Sequence, residues 1–157
     1  MEFFTAFERM MEATVIPLDF WQNPQGDVIL IFSEYECSVY FGCWSAVGEP
    51  ADFIGHLSFQ GASAARSYGR EFFPYRVPKH DQRSYILSIA DSEFIREHTE
   101  YRRQHYPDSR VDARSRIHYV VAGHDIYHEI LAASFTAAKI SKLDVTDARL
   151  CRLIDAA

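Results

Sequence analysis

Apolar residues recur at every second position over much of the chain, a pattern that predicts strands. In DVILIFSEY (27–35), Val28, Leu30 and Phe32 alternate with Ile29 and Ile31, so this strand is expected to be covered on both faces. VIPLDFW (15–21) precedes it across NPQGD. Asn-Pro and Gln-Gly-Asp are turn chemistry, and the pair reads as a hairpin. Further strands are expected at ECSVYFGCW (36–44), DFIGHLSFQG (52–61), SYILSIADS (84–92) and RIHYVVAG (116–123). Helical spacing is rarer. Phe3, Phe7, Met10 and Met11 predict a short amphipathic helix over residues 2–12. Asp91 or Ser92 can cap a second helix, in which Phe94, Ile95 and His98 fall at helical spacing. The tail predicts a third, starting near Asp144 or Thr146. Pro74 and Pro78 argue against a central strand between them. The expected fold class is α+β: a single domain over residues 1–157, with a mostly antiparallel sheet of about five to seven strands and two or three helices.

Residues 124–140 fit either period. Ala, Glu and Leu favour a helix, with Ile126, Ile130, Ser134 and Ala137 on one face. Alternation of Ile126, His128, Ile130 and Ala132 against Tyr127, Glu129, Leu131 and Ala133 favours a strand. The chemistry of HYVVAGHDIYHE (118–129) depends on this choice. On a helix, His124 and His128 stand at i and i+4, with Cβ atoms about 6 Å apart. They could then share a zinc ion completed by Asp125 or Glu129, with His118 as an auxiliary group. Such a metal would activate a bound water. The match to HExxH is poor, because Asp125 follows the first His and the glutamate follows the second. On a strand, the same two histidines lie roughly 13 Å apart and share nothing. Gly123, His124 and Asp125 then form the turn of a hairpin, and His118 lies across the ladder from Glu129 or Leu131. The hairpin is the favoured reading, with no cofactor, and zinc belongs only to the helical alternative.

Composition changes the picture in three ways. Twelve Phe and nine Tyr favour β-rich structure with large buried rings. No apolar run of about 18 residues occurs, and the N-terminus has no basic segment, so neither a membrane span nor a secretory signal is expected. The three cysteines, Cys37, Cys43 and Cys151, have no disulfide-framework spacing. A cytoplasmic protein with reduced thiols is the resulting expectation. Charge is uneven: residues 1–65 carry nine acids against Arg9 alone, within an overall balance of −6. An acidic half attracts a cationic partner and repels nucleic acid. The helix region 96–116 is the main basic stretch, but its six Arg face four acids, so no nucleic-acid partner is expected.

No GxSxG, GxGxxG or GxxxxGK[ST] motif occurs, so the sequence offers no serine-hydrolase elbow and no phosphate cradle. HYVVAGHDIYHEILA, with REFFPY (70–75) and SYILSIADS, resembles a signature of small bacterial proteins of no established activity. The resemblance covers about residues 70–135. Proteins of that group are similar in size and charge to immunity partners of bacterial toxins. It implies a protein-binding domain, an inhibitor of a basic toxin. Glu34, Glu36, Glu49 and Asp52 are the acids expected to meet such a partner. Phe72, Phe73 and Tyr75, flanked by Arg70 and Arg76, are the expected aromatic anchor. Self-association through a strand edge or the FFPY patch is the remaining expectation.

Overall fold

The computed structural model describes residues 10–79, 83–108 and 116–155. Among the described residues, eleven strands and two α-helices run in the order β1 (Met11–Val15), β2 (Trp21–Gln22), β3 (Val28–Phe32), β4 (Cys37–Ala46), β5 (Glu49–Gln60), β6 (Ala64–Gly69), β7 (Tyr75–Arg76), β8 (Ile86–Ile89), α1 (Glu93–His105), β9 (Ile117–Ala122), β10 (Ile126–Ala132), β11 (Ser134–Ser141) and α2 (Cys151–Asp155). They form two sheets rather than one of five to seven strands. The first has the order β6-β10-β9-β8-β1-β7. The second has the order β11-β5-β4-β2, with β3 also paired to β4. The α+β class holds, and among the described residues every strand pairing except β1 with β7 is antiparallel.

The core lies between the sheets. Val39, Phe41, Leu57 and Phe59 of the second sheet meet Ile86, Tyr119, Val121 and Ile130 of the first. Polar groups stitch the layers at one end. Buried Gln22 donates from Nε2 to the Ala122 carbonyl at 2.8 Å and accepts from the Tyr85 N–H at 3.0 Å. The outer face of the second sheet is covered by α2 and the turn before it, through Leu153 and Leu150 against Ile31, Tyr40 and Ile54. The outer face of the first carries Tyr75, Leu87, Val120 and Tyr127. Among the described residues no helix is long and apolar enough to cross a membrane.

Three local expectations change. The helix over residues 2–12 falls mostly outside the described residues, but Met11 and Glu12 belong to β1, which is held from both sides by β7 and β8. Tertiary pairing overrides the short helical pattern there. β2 and β3 do not form a hairpin with each other. Both pair antiparallel to β4, at Trp44 and Cys43 and at Phe41 to Cys37, so NPQGD bulges out of one interrupted edge. Asn23 closes that loop by accepting the Gln25 N–H at 2.9 Å. The tail passes through single turns at Lys142–Asp144 and Ala148–Leu150, and its α-helix starts only at Cys151.

Gly55 shows how tight the core is. A Cβ there would run into the Phe41 ring, whereas at Gly42 the nearest atom is Asn23 Cβ at 3.9 Å. Gly55→Ala is expected to cost about 1–3 kcal/mol in urea unfolding, through overpacking. Gly42→Ala is expected to stay within about 0.5 kcal/mol of the parent. Equal costs at both positions would contradict this view of the core.

Candidate functional site: an aromatic cleft over a buried carboxylate

β9 and β10 form the expected hairpin, turning at Gly123, His124 and Asp125. His118 stands opposite Leu131, and their face also carries Glu129 and Tyr127. His128 and Ile130 point the other way, because successive strand residues alternate faces. His118 and Glu129 are each about 1% exposed. A carboxylate so far from water needs donors to replace it. Arg66 Nε and the Tyr75 hydroxyl supply two, to opposite oxygens. His118 Nε2 lies 3.3 Å from Oε1.

The chain of donors continues beyond the carboxylate. His118 Nδ1 is 2.7 Å from Ser92 Oγ. That oxygen also accepts the Ile95 N–H at 3.1 Å and so caps α1. An oxygen already accepting in this way is set to donate its own proton to Nδ1. Nε2 then carries the ring proton, facing Glu129 Oε1 at 3.3 Å and the Tyr75 hydroxyl at 3.5 Å. Asp91, with a φ of 53° in the left-handed region, makes the turn that brings Ser92 into place. Burial, with the Arg66 charge, pushes His118 down to about 3, so the ring is neutral. Burial pushes Glu129 above the usual carboxylate range, against the pull of Arg66.

A cleft of about 640 Å³ opens above this network. Tyr75, Tyr127 and Glu129 line it, with Arg66, Tyr68 and Phe73 beside them and Glu71, Phe72 and Glu93 further along. The rings brace one another: Phe73 meets Tyr127 edge-on at 5.1 Å, and Tyr68 stacks on Tyr127 at 5.7 Å. Arg66 lies 3.8 Å over Phe94 of α1 and bridges Glu129 to Glu97. The REFFPY segment is tied down by Arg70 N–H to the Asp125 carbonyl at 2.9 Å and by the Tyr127 hydroxyl to the Phe72 carbonyl at 3.1 Å. Glu71 folds back over Gly69, where a Cβ would meet Oε2 at 2.8 Å. One guanidinium and three carboxylates therefore line the cleft.

Two groups of sequence candidates thus meet in one place. Phe72, Phe73 and Tyr75 join His118 and Glu129, with Tyr75 buried and Phe72 65% exposed. The others separate. His124 is exposed in the turn, its Nδ1 2.9 Å from Asp125. His128 is buried on the inner face, bonded to Ser67 Oγ at 2.6 Å and to the Val28 carbonyl at 3.0 Å. The i,i+4 zinc pairing of His124 with His128 does not form, because residues 126–132 are strand and both His128 nitrogens are engaged. Among the described residues, no three His, Cys, Asp or Glu side chains gather as a metal site. Glu34 and Glu36 precede β4, while Glu49 and Asp52 lie on β5 beside the second half of β4, roughly 20–30 Å away at about 3.3 Å per residue. They make no single patch. Arg66, Glu71 and Glu93 carry no local signal, because none stands near the histidine segment in sequence, and Ser92 is legible only as a helix cap.

Two measurements check the network. Glu129→Ala is expected to lower unfolding stability by about 3–5 kcal/mol, since it strands Arg66 and the buried donors. Tyr75→Phe removes one donor and is expected to cost about 1.5–3 kcal/mol. A cost under about 1 kcal/mol at Glu129 would mean that the network is loose. Protonation gives a second test. Burial holds His118 and His128 below their ordinary value of 6.5, so below pH 6.5 the unfolded chain binds protons that the fold refuses. Stability is therefore complete above pH 6.5 and falls as pH drops, by up to about 1.4 kcal/mol per unit for each histidine. Glu129, being raised, acts in the opposite sense, from its ordinary value of 4.5 upward. His128→Gln is expected to shallow the decline between pH 6.5 and 5, and an unchanged slope would contradict it. Comparison of the chain with protein-family models, with curated proteins and with solved structures finds no match.

Proposed function

We propose that this chain works by binding another protein, taking a basic side chain of that partner into the cleft between Glu71, Phe72 and Glu93. One observation carries the reading: aromatic rings and two exposed carboxylates, Glu71 and Glu93, line an open cleft whose single guanidinium, Arg66, is already held by buried Glu129. Ring faces attract cations, and the attraction grows as water is excluded. Carboxylates beside them favour lysine or arginine over any anionic group. Phe72, mostly exposed at the rim, is an anchor of the kind that dominates interfaces. Beneath it the Glu129 network keeps the rings in fixed places, so little order has to be gained on binding.

This reading fits an immunity-type inhibitor of a basic bacterial toxin, acting in the cytoplasm. The overall charge of −6 would speed the encounter with such a partner. Glu34, Glu36, Glu49 and Asp52 add to that charge without forming the docking surface.

The probe is an arginine-rich peptide, with an acidic peptide of equal length as control, followed by amide chemical shifts. Shifts centred on residues 66–75 and 127–129, weakening as salt rises, are expected for the basic peptide alone. Glu71→Gln with Glu93→Gln is expected to weaken binding at least tenfold, about 1.4 kcal/mol. Phe72→Ala should weaken it without changing its salt dependence. Equal shifts with the acidic peptide, or shifts scattered over the acidic loops at 34–36 and 49–52, would overturn the proposal.

A further inference from the structure

We infer that β11 is a self-association edge, through which two copies of the chain join in antiparallel register. β11 is the outermost strand of the second sheet and pairs with β5 over all eight of its residues. Alternate backbone N–H and C=O groups on its other side therefore point away from the sheet, where they can template a further strand. The other edges carry features that discourage such pairing. β7 is only two residues long. The β2–β3 edge is broken by the NPQGD loop. β6 carries Arg66 and Tyr68 and borders the cleft. β11 has no proline, and its one charge, Lys139, lies back over Phe53 at 5.0 Å and Phe20 at 5.9 Å instead of guarding the edge.

Its sequence suits a second copy of itself. A two-fold axis through an antiparallel pair stands perpendicular to the sheet, so residues of like face must oppose one another. That places Ala137 against Ala137, or Ala138 against Ala138, at the axis. Both alanines are exposed and small enough for close approach. With Ala138 at the axis, Thr136 meets Ile140 of the partner. With Ala137 there, Lys139 meets Phe135 of the partner. In neither register does Lys139 oppose its own copy, so no like charges collide. A separate observation points to the same place. Leu143, just beyond β11, is 95% exposed. With Ala138 at the axis, position 143 falls opposite the exposed Ala133 of the second copy, just before its β11, which gives Leu143 an apolar neighbour. The two five-stranded sheets would become one continuous sheet. The cleft lies on the other sheet, so a dimer presents two of them.

Sedimentation velocity of the full chain from about 1 to 100 µM tests this. A concentration-dependent species at twice 18.1 kDa is expected. Ala137→Lys with Ala138→Lys puts like charges across the axis in either register, and should raise the dissociation constant at least tenfold. Circular dichroism of that variant should match the parent, which separates lost pairing from lost folding. Leu143→Ser should weaken the dimer as well. A parent that stays monomeric at 100 µM, or a dimer indifferent to both lysines, would overturn the inference. This outcome is independent of peptide binding at the cleft.

Discussion

The Glu129 carboxylate is the constraint around which one face of the molecule is organised. It sits at the centre of a strand, out of water, where an unpaired charge would cost several kcal/mol. The fold offsets that cost with groups from separate parts of the chain. Arg66 comes from β6, Tyr75 from β7 and His118 from β9. Ser92 then links His118 to the first turn of α1. Each donor is useful only if the others are in place, since a partly satisfied buried network is worse than an apolar one. The carboxylate therefore ties the helix, the REFFPY segment and the sheet into one unit. The rigidity of the aromatic cleft is a consequence of that unit.

Period-two alternation divides the chemistry of β10 between two layers. Glu129 and Tyr127 serve the outer face, where the cleft opens. His128, their neighbour in sequence, serves the inner face and joins the layers through the Val28 carbonyl. Both buried histidines are used as neutral groups with fixed partners. His124 alone of the three faces water, and it does so in the turn. What reads as one histidine cluster is thus three separate environments, set by backbone geometry.

The hairpin was legible because it is local. Strong alternation, a Gly-His-Asp turn and a second apolar run leave few other arrangements, and they also set His118 opposite Leu131, on the face that carries Glu129. The Ser92 cap was legible for the same reason. The partners of Glu129 were not. Arg66 and Tyr75 are 63 and 54 residues away in sequence, and no local pattern marks a residue for such a distant contact. The second sheet was hidden likewise, since alternation reveals strands but not which layer each joins. β2 and β3 illustrate the error. NPQGD carries true turn chemistry, yet both flanking segments prefer β4, whose ten residues offer room for each. The acids at Glu34, Glu36, Glu49 and Asp52 are close in sequence and far apart in space, because most of β4 runs between them.

The direct test of the buried carboxylate as organising centre is the ring-nitrogen NMR spectrum of His118 between pH 7 and 5. The network requires a neutral ring with the proton on Nε2 and an accepting Nδ1, unchanged across that range. A ring that gains a second proton near its ordinary value of 6.5 would contradict the account. It would mean that water reaches Glu129 and that the donors around it do not form a closed set.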